Sequence, residues 1–101
     1  MSKAKITTDE TKLDKLLNIG PKVKIMLNEI GIFTKDELKN CGAVMAYIKI
    51  NQTGKFFGVA NNLMLLYALY GASTDQNCLY LLPEIKQYLQ EELNIATKQK
   101  Q

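Results

Sequence analysis

The segment that most limits the fold of this chain is a run of eight apolar residues from Leu63 to Tyr70. A membrane span needs about 18–20 apolar residues, so this run is too short to be one. A helix that has no polar face is stable only where other elements surround it. Asn61 or Asn62 can cap its first turn, and Gly71 is predicted to end it. We therefore predict a short helix at the centre of a domain.

Apolar residues also recur at helical spacing on both sides of this run. Pro21 suits the first position of a helix, and Thr34 with Glu37 forms a capping box that opens another. No segment alternates apolar and polar residues as a half-buried strand does. The sequence predicts a compact all-α single domain of five or six short helices. Besides the central helix, the predicted helices cover residues 13–17, 21–30, 34–40, 43–50 and 83–93.

The length and composition are those of one globular domain. The chain has 101 residues, of which 47% are hydrophobic and 23% charged, and this balance excludes overall disorder. We predict a flexible polar arm over residues 1–12, the helical domain over 13–95 and a frayed tail over 96–101. The N-terminal segment has no apolar core of the kind that a secretory signal needs, so we expect a cytoplasmic protein without a membrane partner.

The residue types present restrict the chemistry. The chain has no histidine, which excludes histidine acid–base catalysis and histidine metal ligands. Cys41 and Cys78 are the two cysteines, too few for a zinc site, and we predict that they are small buried hydrophobes. No glycine-rich phosphate loop and no activated nucleophile is found. We expect a protein that is not an enzyme and has neither a metal nor a cofactor.

The charge of the chain is concentrated at one end. The net charge is +3, and all 13 basic residues are lysines. The first 24 residues contain six lysines against three acidic residues, so they carry the whole excess. Lysine holds a phosphate as a point charge but lacks the forked geometry with which arginine reads guanine. This composition favours weak contact with a phosphate backbone over sequence-specific recognition.

The turn between the first two predicted helices resembles the helix-hairpin-helix (SAM-like) corner of DNA polymerases, ligases and repair proteins. In that motif, backbone N–H groups at the start of the second helix bind a DNA phosphate without reading sequence. Asn18 stands in place of the first glycine of the motif, and asparagine tolerates left-handed backbone. The alternative is that the turn is only a packing corner. The candidate nucleic-acid-binding residues are Asn18, Gly20, Lys22, Lys24 and Lys15.

Aromatic residues supply a second candidate site. Phe56 and Phe57 lie in a predicted loop bounded by glycines. They either plug the core or form an exposed knob that binds a regulatory protein or a second copy of the chain. The tyrosines could stack on single-stranded bases. However, Tyr47, Tyr67 and Tyr88 follow apolar stripes at helical spacing, so we predict that these three lie in or near the core with their hydroxyl groups reaching water.

Two longer strings resemble the C-terminal domain of the TfoX/Sxy family: Gly-Ala-Val-x-Ala-Tyr at 42–47 and Asn-Leu-x-x-Leu-Tyr-Ala-Leu-x-Gly-Ala at 62–72. With Leu82-Pro83, the resemblance covers residues 13 to about 93. It implies a helical fold with a helix-hairpin-helix-like corner, no enzyme activity and a cytoplasmic location. The family is bacterial, and its full-length members regulate natural competence together with a cyclic-AMP-responsive activator.

Composition, hairpin and resemblance together lead to two expectations for the function. The first is a stand-alone regulatory domain that contacts DNA phosphates weakly and non-specifically and acts on genes for DNA uptake. The alternative is a protein-interaction or oligomerisation module with no direct DNA binding. Replacement of the hairpin lysines, or of the two phenylalanines, would distinguish them.

Overall fold

The computed structural model describes residues 13–56, 58 and 62–98, without the side chain of Asp14. The predicted polar arm over residues 1–12 and Phe57 lie outside the described residues. Within them no β-strand is found, and the predicted all-α class is confirmed. The elements are a 3₁₀ turn (Leu13–Lys15), α1 (Pro21–Glu29), α2 (Lys35–Cys41), α3 (Ala43–Gln52), α4 (Leu63–Thr74), a second 3₁₀ turn (Cys78–Tyr80) and α5 (Pro83–Lys98).

Helix α4 is the central helix, as its apolar sequence predicts. Seven of its residues are buried, and it packs against α2, α3, α5 and the second 3₁₀ turn. The Asn62 side chain caps it by accepting a hydrogen bond of 2.8 Å from the Met64 N–H. The prediction that Gly71 ends the helix is wrong. The helix continues through a buried Gly71 to Thr74 and ends at Asp75, whose φ of 62° is left-handed.

The core forms where α3 crosses α4, and the other elements close around that contact. Almost every element contributes a side chain that water does not reach, so the core is one continuous cluster. The largest fully buried side chains are Leu13, Met26, Leu27, Leu38, Ile50, Leu66 and Leu69.

The capping box that opens α2 is confirmed. The Thr34 hydroxyl accepts from the Glu37 N–H at 3.2 Å, while the Glu37 carboxylate accepts from the Thr34 N–H at 3.2 Å. Gly42 both ends α2 and precedes α3, and its φ of 87° explains why a glycine stands there. The local sequence thus sets the boundary between these two helices.

Four further predictions are corrected by the structure. The first predicted helix is only the 3₁₀ turn at Leu13–Lys15, since the chain is already in a bend and turn over residues 16–18. Tyr88, predicted in or near the core, is 56% exposed, whereas Tyr47 and Tyr67 are buried as predicted. Cys41 and Cys78 are free thiols that are only half-buried. Helix α5 extends to Lys98, beyond the end of the helix predicted over residues 83–93.

Candidate functional site

The corner between the first 3₁₀ turn and α1 has the backbone that the sequence predicts. Asn18 has a φ of 71°, the left-handed conformation in which glycine usually stands. The Ile19 side chain that follows is buried in the core. The chain therefore reverses direction over two residues, and Gly20 and Pro21 emerge at the surface.

The Asn18 side chain lies against α4 and the segment that follows it. Its amide nitrogen donates to the Gln76 carbonyl at 2.9 Å and to the Ala68 carbonyl at 3.4 Å. Its amide oxygen accepts from the Cys78 N–H at 3.1 Å. We call these three contacts the Asn18 clasp. They connect the corner to residues 50 to 60 positions further along the chain.

Gly71 provides the space for the Asn18 clasp. A Cβ atom at this position would collide with the Asn18 amide nitrogen and with the Gln76 carbonyl oxygen. Gly71 has no left-handed φ, so its importance lies in this close approach and not in its backbone angles. Among the candidate residues, Asn18 is thus the one whose side chain the structure turns inward.

The start of α1 is open. Gly20 is the N-cap, has no side chain to cap the helix, and accepts only the Lys24 N–H at 3.0 Å. Pro21 has no N–H group. In the part of the chain that the structure describes, the N–H groups of Lys22 and Val23 donate no hydrogen bond. Two backbone donors and the positive end of the helix dipole are therefore available to an anion.

The lysines around this helix start make no ion pair with any acidic residue that the structure describes. Lys15 and Lys22 are exposed, Lys24 is half-buried, and none of them pairs with an acidic group among the described residues. The first turn of α1 has no acidic side chain. Gly20 is the N-cap of α1, Lys22 and Lys24 are among its first four residues, and Lys15 precedes Asn18 by three residues. We call this set the α1 corner.

A shallow groove of about 270 Å³ runs beside the α1 corner, between α1 and α4. Its lining is mostly apolar, and Lys22 and Cys78 both contribute to it. The lining residues are Lys22, Val23, Met26, Asn62, Met64, Leu65, Ala68 and Cys78.

Of the two phenylalanines of the second candidate site, the structure describes Phe56. Phe56 is half-buried and packs against the core, and Lys55 beside it pairs with Glu29 at 2.8 Å. Phe57 lies outside the described residues. The role of these two phenylalanines in binding a partner stays a prediction.

Sequence reasoning missed a different surface. Four apolar residues follow one another from Leu79 to Leu82, and only Leu81 among them is buried. The side chains of the other three are exposed: Leu79 by 66%, Tyr80 by 79% and Leu82 by 60%. We call these three residues the apolar triad. The sequence shows a short apolar run at Cys78–Leu82 that ends before Pro83, but not which of its side chains are exposed.

The described residues offer little for catalysis. They contain no group of three or more histidine, cysteine or acidic residues able to hold a metal ion. Burial raises the pKa of the Tyr47 phenol, which suits a core residue and not a proton donor near neutral pH. No helix among these residues is long and apolar enough to cross a membrane.

These features define a class of protein: a small all-α domain with a tight corner before α1, where the first backbone N–H groups of the helix are without partners among the described residues. Comparison with known families gives the same answer in more detail. The TfoX C-terminal domain family matches residues 9–93, so this chain belongs to that family.

A solved structure shares this fold. The crystal structure of an uncharacterized protein from Listeria monocytogenes, in a triclinic crystal form, is similar to this chain with 28% sequence identity and a TM-score of 0.70. The similarity covers 86% of this chain and 94% of the Listeria chain. No curated protein matches the chain.

Proposed function

We propose that this chain is a non-enzymatic, cytoplasmic regulatory domain whose α1 corner contacts the phosphate backbone of DNA. Membership of the TfoX C-terminal domain family supports a role in the regulation of genes for DNA uptake. The observation that carries the DNA contact is the open start of α1, where the Lys22 and Val23 N–H groups lie beside unpaired lysines.

The chemistry of this corner favours contact with DNA phosphates over recognition of the base sequence. The Asn18 amide is occupied by the Asn18 clasp, and the chain has no arginine to read a base edge. What remains available is a pair of backbone donors and three ammonium groups, all of which suit a phosphate. We therefore expect weak binding to DNA of any sequence.

The strength of binding and its salt dependence follow from the number of phosphates. A corner of this size neutralises about two or three of them, so the affinity should fall roughly 10- to 40-fold between 50 and 200 mM salt. A larger decrease would require lysines outside the α1 corner.

Titration of fluorescent duplex DNA at these two salt concentrations tests the proposal. The Lys22→Glu/Lys24→Glu variant is expected to lose at least tenfold in affinity while its circular dichroism spectrum stays unchanged. Lys39→Glu/Lys49→Glu is the matched control, since both lysines are exposed and lie on α2 and α3 with the same change in charge. Equal losses in both variants, or no binding at 50 mM salt, would reject the α1 corner as a DNA contact.

The apolar triad favours a second candidate function, a protein-interaction module without direct DNA binding. Three large apolar side chains on one short surface segment are typical of contact sites for other proteins. This function does not require Lys22 or Lys24 to bind DNA. The titration with duplex DNA therefore separates the two functions, since the interaction module predicts no binding at either salt concentration.

A further inference from the structure

The apolar triad is the largest concentration of exposed apolar side chains on one short segment of the described chain. Leu79 and Tyr80 belong to the second 3₁₀ turn, Leu82 follows it, and Leu81 between them is 5% exposed. One side chain thus anchors the segment while three project outward. Their exposed area is on the order of 400 Å², within the size range of the largest apolar patch on a typical monomer, and such patches are often functional.

The backbone under the apolar triad is firmly held. The Cys78 N–H donates to the Asn18 amide oxygen at 3.1 Å, through the Asn18 clasp. The Leu79 N–H donates to the Asn77 side chain and the Tyr80 N–H to the Asn77 carbonyl, both at 2.9 Å. Because these donors are already satisfied, the segment loses little conformational entropy when a partner covers it. Tyrosine is enriched among the residues that anchor protein interfaces, and Tyr80 stands on this held backbone.

The charges beside the apolar triad are mainly positive. Lys22 lines the same groove as Cys78, one residue before the triad begins. Lys86 lies one helical turn after Leu82, whose carbonyl accepts its N–H at 3.1 Å, and its ammonium group is 5.5 Å from the centre of the Tyr67 ring. Glu84 is the exposed acidic residue between them, and Asp75 is paired with Lys35. Over residues 13–56 and 62–98, this surface has two lysines against one carboxylate without an ion pair, and that balance favours an acidic partner.

We propose that the apolar triad docks an acidic amphipathic helix of a partner protein. Apolar side chains at i, i+3 or i+4 and i+7 of that helix cover Leu79, Tyr80 and Leu82, and its carboxylates face Lys22 and Lys86. The proposal rests on the second candidate function, action through a protein partner. It does not depend on the contact between DNA and the α1 corner.

The size and charge of the surface argue against a second copy as the occupant. A stable protein interface takes about 800 Å² from each partner, roughly twice what the apolar triad offers. Two copies facing each other would also bring the lysines of both chains into one interface. A single helix needs only two or three anchors and supplies the opposite charge.

Fluorescence anisotropy with a synthetic 16-residue helix tests the proposal. The probe has leucines at helical spacing on one face and aspartate or glutamate on the other. Two control peptides replace either all acidic residues by lysine or all leucines by glutamine. We expect the acidic amphipathic probe to bind and both controls to bind at least tenfold more weakly. Equal binding of the lysine peptide would overturn the charge argument and with it the proposal.

Variants locate the binding. Leu79→Ser/Tyr80→Ser is expected to lower the affinity for the acidic probe at least tenfold. Ile25→Ser/Ile95→Ser also removes two exposed apolar side chains, and it should change that affinity less than twofold. Equal losses in both variants would overturn the site. Sedimentation should show a monomer at the same concentrations, and a dimer abolished by Leu79→Ser/Tyr80→Ser would make a second copy the occupant and overturn the proposal.

The two proposals fail separately. The Leu79→Ser/Tyr80→Ser variant should keep its affinity for duplex DNA within twofold, because neither residue is part of the α1 corner. If the acidic probe does not bind while DNA does, the docking proposal is wrong and the DNA contact stands. If the probe binds and DNA does not, the DNA contact is wrong and the docking proposal stands.

Discussion

Helix α4 and the α1 corner are held in place by different kinds of interaction. Helix α4 is fixed by burial, with apolar side chains all round and neighbours on several sides. The α1 corner is fixed by directional hydrogen bonds between the Asn18 side-chain amide and three backbone groups. Burial tolerates small shifts, whereas hydrogen bonds demand particular atoms. The two regions meet at Gly71, where the apolar helix leaves room for the polar contact.

Loss of packing around α4 should have the largest effect. Leu66 is fully buried at the centre of the core, so Leu66→Ala removes apolar contacts and leaves a cavity. We expect a decrease of about 2–5 kcal/mol in the free energy of unfolding. Urea denaturation followed by circular dichroism measures it. A decrease below about 1 kcal/mol would mean that α4 is not the packing centre.

Loss of the Asn18 clasp should cost somewhat less. Asn18→Ala leaves the Cys78 N–H and the Gln76 carbonyl without their partner, and alanine tolerates the positive φ less well than asparagine does, for a total cost of about 2–3 kcal/mol. Asn18→Gly removes the same bonds without the backbone strain, so it should be milder than Asn18→Ala by about 1 kcal/mol. The comparison is made by urea denaturation, and equal values for both variants would contradict the role of the left-handed backbone.

Filling the space at Gly71 should disturb both regions together. Gly71→Ala brings a Cβ against the Asn18 amide and the Gln76 carbonyl, and we expect a cost of about 1–3 kcal/mol. The Asn18→Gly/Gly71→Ala double variant removes one of the two collisions. Its destabilisation should therefore be smaller than the sum of the single values by about 0.5 kcal/mol or more. Strict additivity in the double-mutant cycle would show that the two residues do not interact.

The smallest effect is expected at Pro21, where it concerns binding more than stability. Pro21→Ala restores one N–H donor at the start of α1 and makes the unfolded chain less restricted, at a cost of about 0.4–1 kcal/mol. If a phosphate binds there, affinity for duplex DNA should rise about twofold, in line with one weak added hydrogen bond. Unchanged or weaker binding in the anisotropy titration would contradict the proposed contact.

Features that depend on neighbours in sequence were predicted correctly. The Thr34–Glu37 capping box and the Asn62 cap both act within three residues, so the pattern of residue types is enough to find them. The left-handed Asn18 belongs to the same group, because backbone preference is local. The central position of α4 followed from composition, since an apolar helix has no other stable place.

Features that depend on distant partners were not predicted. Helix α4 continues through Gly71, where a glycine leaves room for the side chain of Asn18, which lies 53 positions earlier. Tyr88 follows an apolar stripe and yet is exposed, since helical spacing tells which residues share a face and not how wide the buried part of that face is. The apolar triad is a surface only because Leu81 alone finds room in the core.

Local sequence was sufficient for the helical class, the caps, the turn at Asn18, the placement of α4 and the family resemblance, because each depends on residue types at short spacing. Tertiary packing alone decided that the Asn18 amide bonds Ala68, Gln76 and Cys78 and that Leu79, Tyr80 and Leu82 face outward. These outcomes depend on the competition among all apolar groups for a core of limited volume, and that competition is settled only when the whole chain has folded.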